Sequence, residues 1–161
     1  MIEKKYIHGM RKSYQEYATI RRDVIVHAGD ALHAAKRAIF AMHRGDLKEA
    51  ETKMNDAKKI CTALQKKYKK TPVFVEEGSY KAALEEYVEA RLLHQFITKG
   101  VIKKISDISI SSDVYLAGLC DVPGELYRYA IGAAAKRDVQ IVEQCTAMGN
   151  EIVGELIEFN F

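Results

Sequence analysis

The 161-residue chain has one domain's length, and with 48% hydrophobic and 29% charged residues it can bury a core without disulfide or metal staples and is not a long disordered protein. Two prolines and 10 glycines are too few for a turn-rich β-sandwich or barrel. The net charge of +3 hides an asymmetry: residues 1–75 hold 17 Lys and Arg against 8 Asp and Glu, a balance of +9, and residues 76–161 hold 8 against 14, a balance of −6. The first half therefore suits a polyanion and the second a cation, although solvated helix faces of opposite sign would give the same numbers.

From about Lys12 to His43, apolar residues recur at Tyr17, Ile20, Val24, Ala28, Ala31, Ala35, Ile39 and Met42, a spacing of three and four that predicts one long helix. Arg44-Gly45-Asp46 ends it, with Gly45 beyond the C-terminus and Asp46 as N-cap of a second helix, supported by Glu49 three residues on. Leu47, Ala50, Met54, Ala57, Cys61, Leu64 and Tyr68 line one side of that helix. A basic last turn, Lys66, Lys67, Lys69 and Lys70, precedes the stop at Thr71-Pro72. Gly78-Ser79 opens a third helix to about Lys99-Gly100, with Ser79 as the expected N-cap. After a polar connector at Ser106–Ser111, Ser111 or Ser112 caps a fourth helix running to about Lys136, where Pro123 predicts a kink. Asp138 caps a fifth helix to Glu158. The short connections predict antiparallel neighbours, hence a single all-α helical bundle over residues 1–161.

No apolar stretch approaches the ~18 residues of a membrane span, and Met1–Lys5 does not lead into a signal-peptide hydrophobic region, so a soluble cytoplasmic protein is expected. Three scattered cysteines, Cys61, Cys120 and Cys145, fit reduced thiols rather than a disulfide or zinc framework.

Two acidic pairs carry the candidate chemistry. Glu86 and Glu89 share one face of the third helix with Ala82, Ala83, Ala90, Leu93 and Ile97, where carboxylates are costly to desolvate without a compensating positive charge. Asp121 and Glu125 share one face of the fourth with Val114, Ala117, Gly118, Arg128 and Gly132. In an antiparallel hairpin both pairs lie about 11 residues, or about 17 Å, from the turn. Four carboxylates at one level suit a hard divalent cation, Mg²⁺ or Mn²⁺, and the absence of a Glu-x-x-His signature argues against a di-iron site. The same acids also fit structural pairs with Arg91, Arg128 or a basic residue of the first two helices, and the sequence leaves both readings open. His8, His27, His33, His43 and His94 show no ligand spacing and read as packing or surface residues.

The runs Leu84-Glu85-Glu86-Tyr87-Val88-Glu89-Ala90 with His94-Gln95-Phe96-Ile97, and Asp113-Val114-Tyr115-Leu116-Ala117-Gly118-Leu119-Cys120-Asp121-Val122-Pro123-Gly124-Glu125-Leu126-Tyr127-Arg128, resemble the translin family, and more closely its translin-associated factor X (Trax) branch. The resemblance covers residues 10–161. It implies an all-α fold assembling into a hollow homo-oligomer, an octamer or a smaller closed ring, that binds single-stranded RNA and DNA. It also implies Mg²⁺-dependent endoribonuclease activity, with Glu86, Glu89, Asp121 and Glu125 at the acidic catalytic positions, and a translin-family partner subunit as a further expectation. Two departures stand out: longer members continue into a further C-terminal helix, and translin's basic, histidine-rich segment is replaced at Thr71–Tyr80 by one with Glu76 and Glu77.

The expected activity is thus cleavage of single-stranded RNA, the cation being held by Glu89 and Asp121 while Glu86 and Glu125 hold a second cation or orient water. Arg21, Arg22, Lys66 and Lys67 are the expected contacts to the nucleic-acid backbone, without sequence readout. A non-catalytic nucleic-acid-binding scaffold and a plain helical adaptor are the rival readings.

Overall fold

A computed structural model describes residues 2–69, 71, 74 and 77–159. Five helices follow one another: α1 Lys4–His43, α2 Leu47–Tyr68, α3 Gly78–Lys99, α4 Ser112–Ala135 and α5 Val139–Ile157. The expected all-α architecture is what forms, with no strand among the described residues. None of these helices is long and apolar enough to cross a membrane.

The helix α1 begins eight residues earlier than its core stripe predicts, because Tyr6, Met10, Tyr14 and Tyr17 keep helical spacing although no core lies under them. Its first buried residue is Val24, and from there Ala28, Ala31, Ala35, Ala38, Ile39 and Met42 pack against α2 and α3. Gly45 takes φ +81°, the left-handed turn that reverses the chain into α2. Asp46 caps α2 by accepting a hydrogen bond from the Glu49 amide at 2.9 Å, as its spacing predicts. The reciprocal half of the capping box is absent, since the Glu49 carboxylate is taken by Arg44 at 2.8 Å and Arg37 at 3.4 Å. The predicted core side of α2 holds: Ala50, Met54, Ala57, Cys61, Leu64 and Tyr68 are all buried. The predicted stop at Pro72, together with Lys70 and Glu76, lies outside the described residues.

The central helix is α3, buried over most of its circumference from Ala83 to Leu93. Its N-cap is Glu77, not Ser79, whose hydroxyl instead sits inside the first turn and donates to Glu77 at 3.2 Å. It ends at Gly100, φ +66°. The chain does not then turn back into an antiparallel neighbour. Residues 101–111 run back along α3: the Lys103 amide donates to the Gln95 side chain at 2.7 Å, Asp107 meets Lys58 at 2.8 Å and Arg91 at 3.8 Å, and the Ser109 carbonyl accepts from Gln65 at 2.7 Å. Ile105 and Ile108 anchor this segment in the core.

As a result α4 starts beside the start of α3 and runs in the same direction. Lys81 pairs with Asp113 at 3.6 Å, and Gly118 lies against Glu85 and Val88. A Cβ at Gly118 would stand 2.7 Å from the Glu85 carbonyl oxygen and from Val88, so only glycine permits this approach, whereas Gly132 faces open space. The helix continues through Pro123. Asp138 caps α5 by accepting from the Ile141 amide at 3.1 Å, and α5 packs back against α4. Cys61 and Cys145 are buried, Cys120 is exposed, and all three are free thiols.

Candidate functional site

With α3 and α4 running together from a common end, Glu86 and Glu89 lie about 10 residues into their helix and Asp121 and Glu125 about 11 into theirs, again at one level. The antiparallel construction was wrong, but the levels match because both pairs are also near the helix midpoints. The four acids are close enough for their charges to act on one another.

Their environments differ. Glu89 is buried, 8% exposed, and makes no hydrogen bond or ion pair among the described residues. Burial first, and then the charges of Glu86, Glu125 and Asp121, push its carboxyl up to about 8, against weak relief from Lys36. Glu86 is also raised, chiefly by burial, although the Lys36 ammonium of α1 lies 3.8 Å from it. Glu125 is lowered instead. Its carboxylate is hydrogen-bonded to the His43 imidazole at the end of α1, and the Arg128 guanidinium lies 3.6 Å away, one turn along α4. Asp121 is exposed.

The structural-pair reading of the acids is realised in part: Lys36 and Arg128 supply pairs to Glu86 and Glu125, whereas Arg91 is committed to Asp107 and Glu89 has no ion pair among the described residues. His43 was missed. Its partner lies 82 residues away, beyond any local pattern. The one available signal was that Lys36 and His43, seven apart, share a face of α1 beside the stripe Ala35, Ile39 and Met42.

A carboxyl-only donor set around one buried, uncompensated acid suits a hard divalent cation. Among the described residues, no three Asp, Glu, His or Cys side chains converge tightly enough to hold an ion in their present rotamers. The donor chemistry and the shared level suit a cation, but the described side chains do not converge into its coordination site.

The four expected nucleic-acid contacts divide into two kinds. Arg21 donates to Glu77 at 3.0 Å, and Lys67 donates to Asp23 at 2.8 Å, where the Tyr68 hydroxyl also bonds. Arg22 and Lys66 are exposed, with no ion pair among the described residues.

These features define a class, a five-helix protein with an acidic centre between two co-directional helices and a basic first half. A family model, described as the Translin family, matches residues 20–155. The chain belongs to the translin family. In fold it is similar to the structure titled an AfC3PO–duplex RNA complex, at 22% identity and TM-score 0.83, covering 96% of this chain and 80% of that one. It is likewise similar to apo-NeC3PO, at 20% identity and TM-score 0.79, covering 99% of this chain and 96% of that one. No curated protein matches.

Proposed function

We propose that this protein is a Mg²⁺- or Mn²⁺-dependent endoribonuclease of the Trax type, acting on single-stranded RNA in the cytoplasm as a closed homo-oligomer and binding single-stranded nucleic acid without sequence preference. The observation that carries this reading is Glu89, a buried carboxyl near three further acids, with no ion pair among the described residues and only weak relief from Lys36. A buried carboxyl kept protonated for want of positive charge suits a place where an entering cation takes over from the proton. A divalent ion in such a site lowers the pKa of bound water and neutralises phosphate charge in the transition state. Glu89 and Asp121 are the residues assigned to hold it. Glu86 takes part beside Lys36, and Glu125, fixed by His43 and Arg128, orients water or holds a second ion.

Arg22 and Lys66, the unpaired cations, hold the RNA backbone, while Arg21 and Lys67 contribute after releasing Glu77 and Asp23. Neutralising Arg22 and Lys66 together should flatten the slope of log affinity against log salt by roughly one unit per lost phosphate contact, and neutralising Arg21 and Lys67 by less.

The test is cleavage of labelled RNA, single-stranded and duplex, with Mg²⁺, Mn²⁺ or EDTA. Metal-dependent cutting of the single strand, abolished by EDTA, is the expected result. Binding without cutting under every condition would overturn catalysis and favour a second reading, a nucleic-acid-binding scaffold. The ion pairs of Glu86 and Glu125 support that reading. Duplex cleavage at the single-strand rate would overturn the strand preference alone, and the similar AfC3PO structure was solved with duplex RNA.

A further inference from the structure

The line that α1 buries near its C-terminal end runs through Ala35, Ala38, Ile39 and Met42. Phe40 lies on the other side of the helix, 52% exposed, where no rotation of α1 could bury both it and that line. A single exposed aromatic needs no explanation in itself. Its neighbours are what mark this one. Lys36, one turn before it, reaches Glu86 at 3.8 Å, and His43, one turn after it, is hydrogen-bonded to Glu125. The three side chains fall within about 60° of one another round α1, so Phe40 stands between the two residues that join this helix to the acidic centre. From α4 the Arg128 guanidinium lies 5.8 Å from the centre of the Phe40 ring and 3.6 Å from Glu125.

The same side of α1 is open further back. Arg22 precedes Phe40 by five full turns and so lies on its line, exposed and with no ion pair among the described residues. Gly29, between them, has nothing within 4 Å of where a Cβ would stand. A strand laid along this line from Arg22 reaches the acids over the Phe40 ring.

We propose that Phe40 is the platform on which an unpaired base of the RNA stacks beside the acidic centre, with Arg128 holding the adjoining phosphate. The inference rests on the proposed RNA reading and assigns which part of the nucleotide this place takes. A nucleotide couples one flat aromatic face to one phosphate, and the structure offers one exposed ring with a guanidinium beside it. A protein partner seated there would strip water from Lys36 and Arg128 and gain a single ring in return. Stacking accepts any base, because every base has a π-face, and so agrees with binding without sequence readout. In a duplex the bases are already paired and stacked on one another, which leaves no free face for the ring, so the platform selects single strands.

The chain contains no tryptophan, so Phe40→Trp places one indole fluorophore at the platform. Binding is measured on the full chain in EDTA, without cleavage, by anisotropy of end-labelled strands, with circular dichroism to confirm folding. Single-stranded RNA should quench the Phe40→Trp emission, whereas the duplex, and an abasic strand of the same length that keeps every phosphate, should bind without quenching. Phe40→Ala and Phe40→Leu should each bind the single strand about fivefold or more weakly than wild type but the abasic strand equally well, and Phe40→Tyr should keep wild-type affinity. Unchanged single-strand affinity in Phe40→Ala, an equal loss for the abasic strand, equal quenching by the duplex, or unquenched emission from saturated Phe40→Trp would each overturn the platform. A change of mass in light scattering on Phe40→Ala would assign the ring to a contact between copies and overturn it as well. Wild type that binds no RNA would overturn the RNA reading and the platform together. Quenching in EDTA with no cleavage once Mg²⁺ or Mn²⁺ is added would uphold the platform and overturn catalysis alone.

Discussion

Glu89 on α3 and Glu125 on α4 occupy one acidic centre and are treated in opposite ways. Glu125 has a hydrogen-bonded histidine and a neighbouring arginine, which keep it ionised. Glu89 is buried without a partner, and its proton is held up to about 8. A fold that only needed salt bridges would have served Glu89 first, as the more buried of the two. The contrast separates a carboxylate held in place by protein groups from one left short of positive charge.

The largest effect should come from removing the uncompensated acid. Glu89→Ala or Asp121→Ala should lower the rate of Mg²⁺-supported single-turnover RNA cleavage on the order of 10²-fold or more, in folded protein. A folded mutant cleaving at the wild-type rate would refute the assignment.

Stability against pH gives the next test. Because the folded-state value of Glu89 lies above its ordinary 4.5, the native chain holds a proton that the unfolded chain releases, so stability falls as pH rises from 4.5 to about 8. Glu89→Gln should remove most of this decline, matching wild type near pH 4.5 and exceeding it by a few kcal/mol in denaturant titrations above pH 8. Glu125 shifts the other way. Its contribution is full above its ordinary 4.5 and is lost as pH falls below that, and Glu125→Gln should therefore destabilise at neutral pH.

The juxtaposition itself depends on Gly118. Gly118→Ala, forcing α3 and α4 apart, should cost about 1–3 kcal/mol and reduce cleavage by displacing Asp121 from Glu86 and Glu89. Gly132→Ala, with open space around it, should be neutral or stabilising by up to about 1 kcal/mol. Equal melting temperatures for the two would show that the close approach is not required.

The smallest effects concern the held acid. His43→Ala removes a half-buried hydrogen bond to a carboxylate and should cost about 1.5–3 kcal/mol and lower cleavage about tenfold. Arg128→Ala, breaking a longer and mostly exposed pair, should cost less than about 1 kcal/mol. If Arg128 proved the more costly, the account of what fixes Glu125 would be reversed.

Local order was readable from the residues: Gly45 and Gly100 mark helix ends, Asp46 and Asp138 form caps, and the α2 stripe is the α2 core. These features depend on neighbours within a turn. The direction of α4 was not readable, because it follows from how residues 101–111 bond to Gln95, Arg91, Lys58 and Gln65, contacts without sequence periodicity. The four acids could be selected by spacing and by the family resemblance, but their unequal burial could not. Glu89 and Glu86 differ by less than one helical turn, and only the packing of α1 and α4 around α3 makes one the buried acid and gives the other a lysine. His43 was hidden for the same reason, its role being set by a helix 82 residues away.

In the function proposed, Glu89 gives up its proton to a divalent cation. Titration calorimetry of the full chain with Mn²⁺ at pH 7, in two buffers of different ionisation enthalpy, tests it directly, because an ion that displaces the Glu89 proton must release it to the buffer. Binding with proton release approaching one per ion, lost in Glu89→Gln, is the predicted result. Absence of Mn²⁺ binding, or the same proton release from Glu89→Gln, would contradict it.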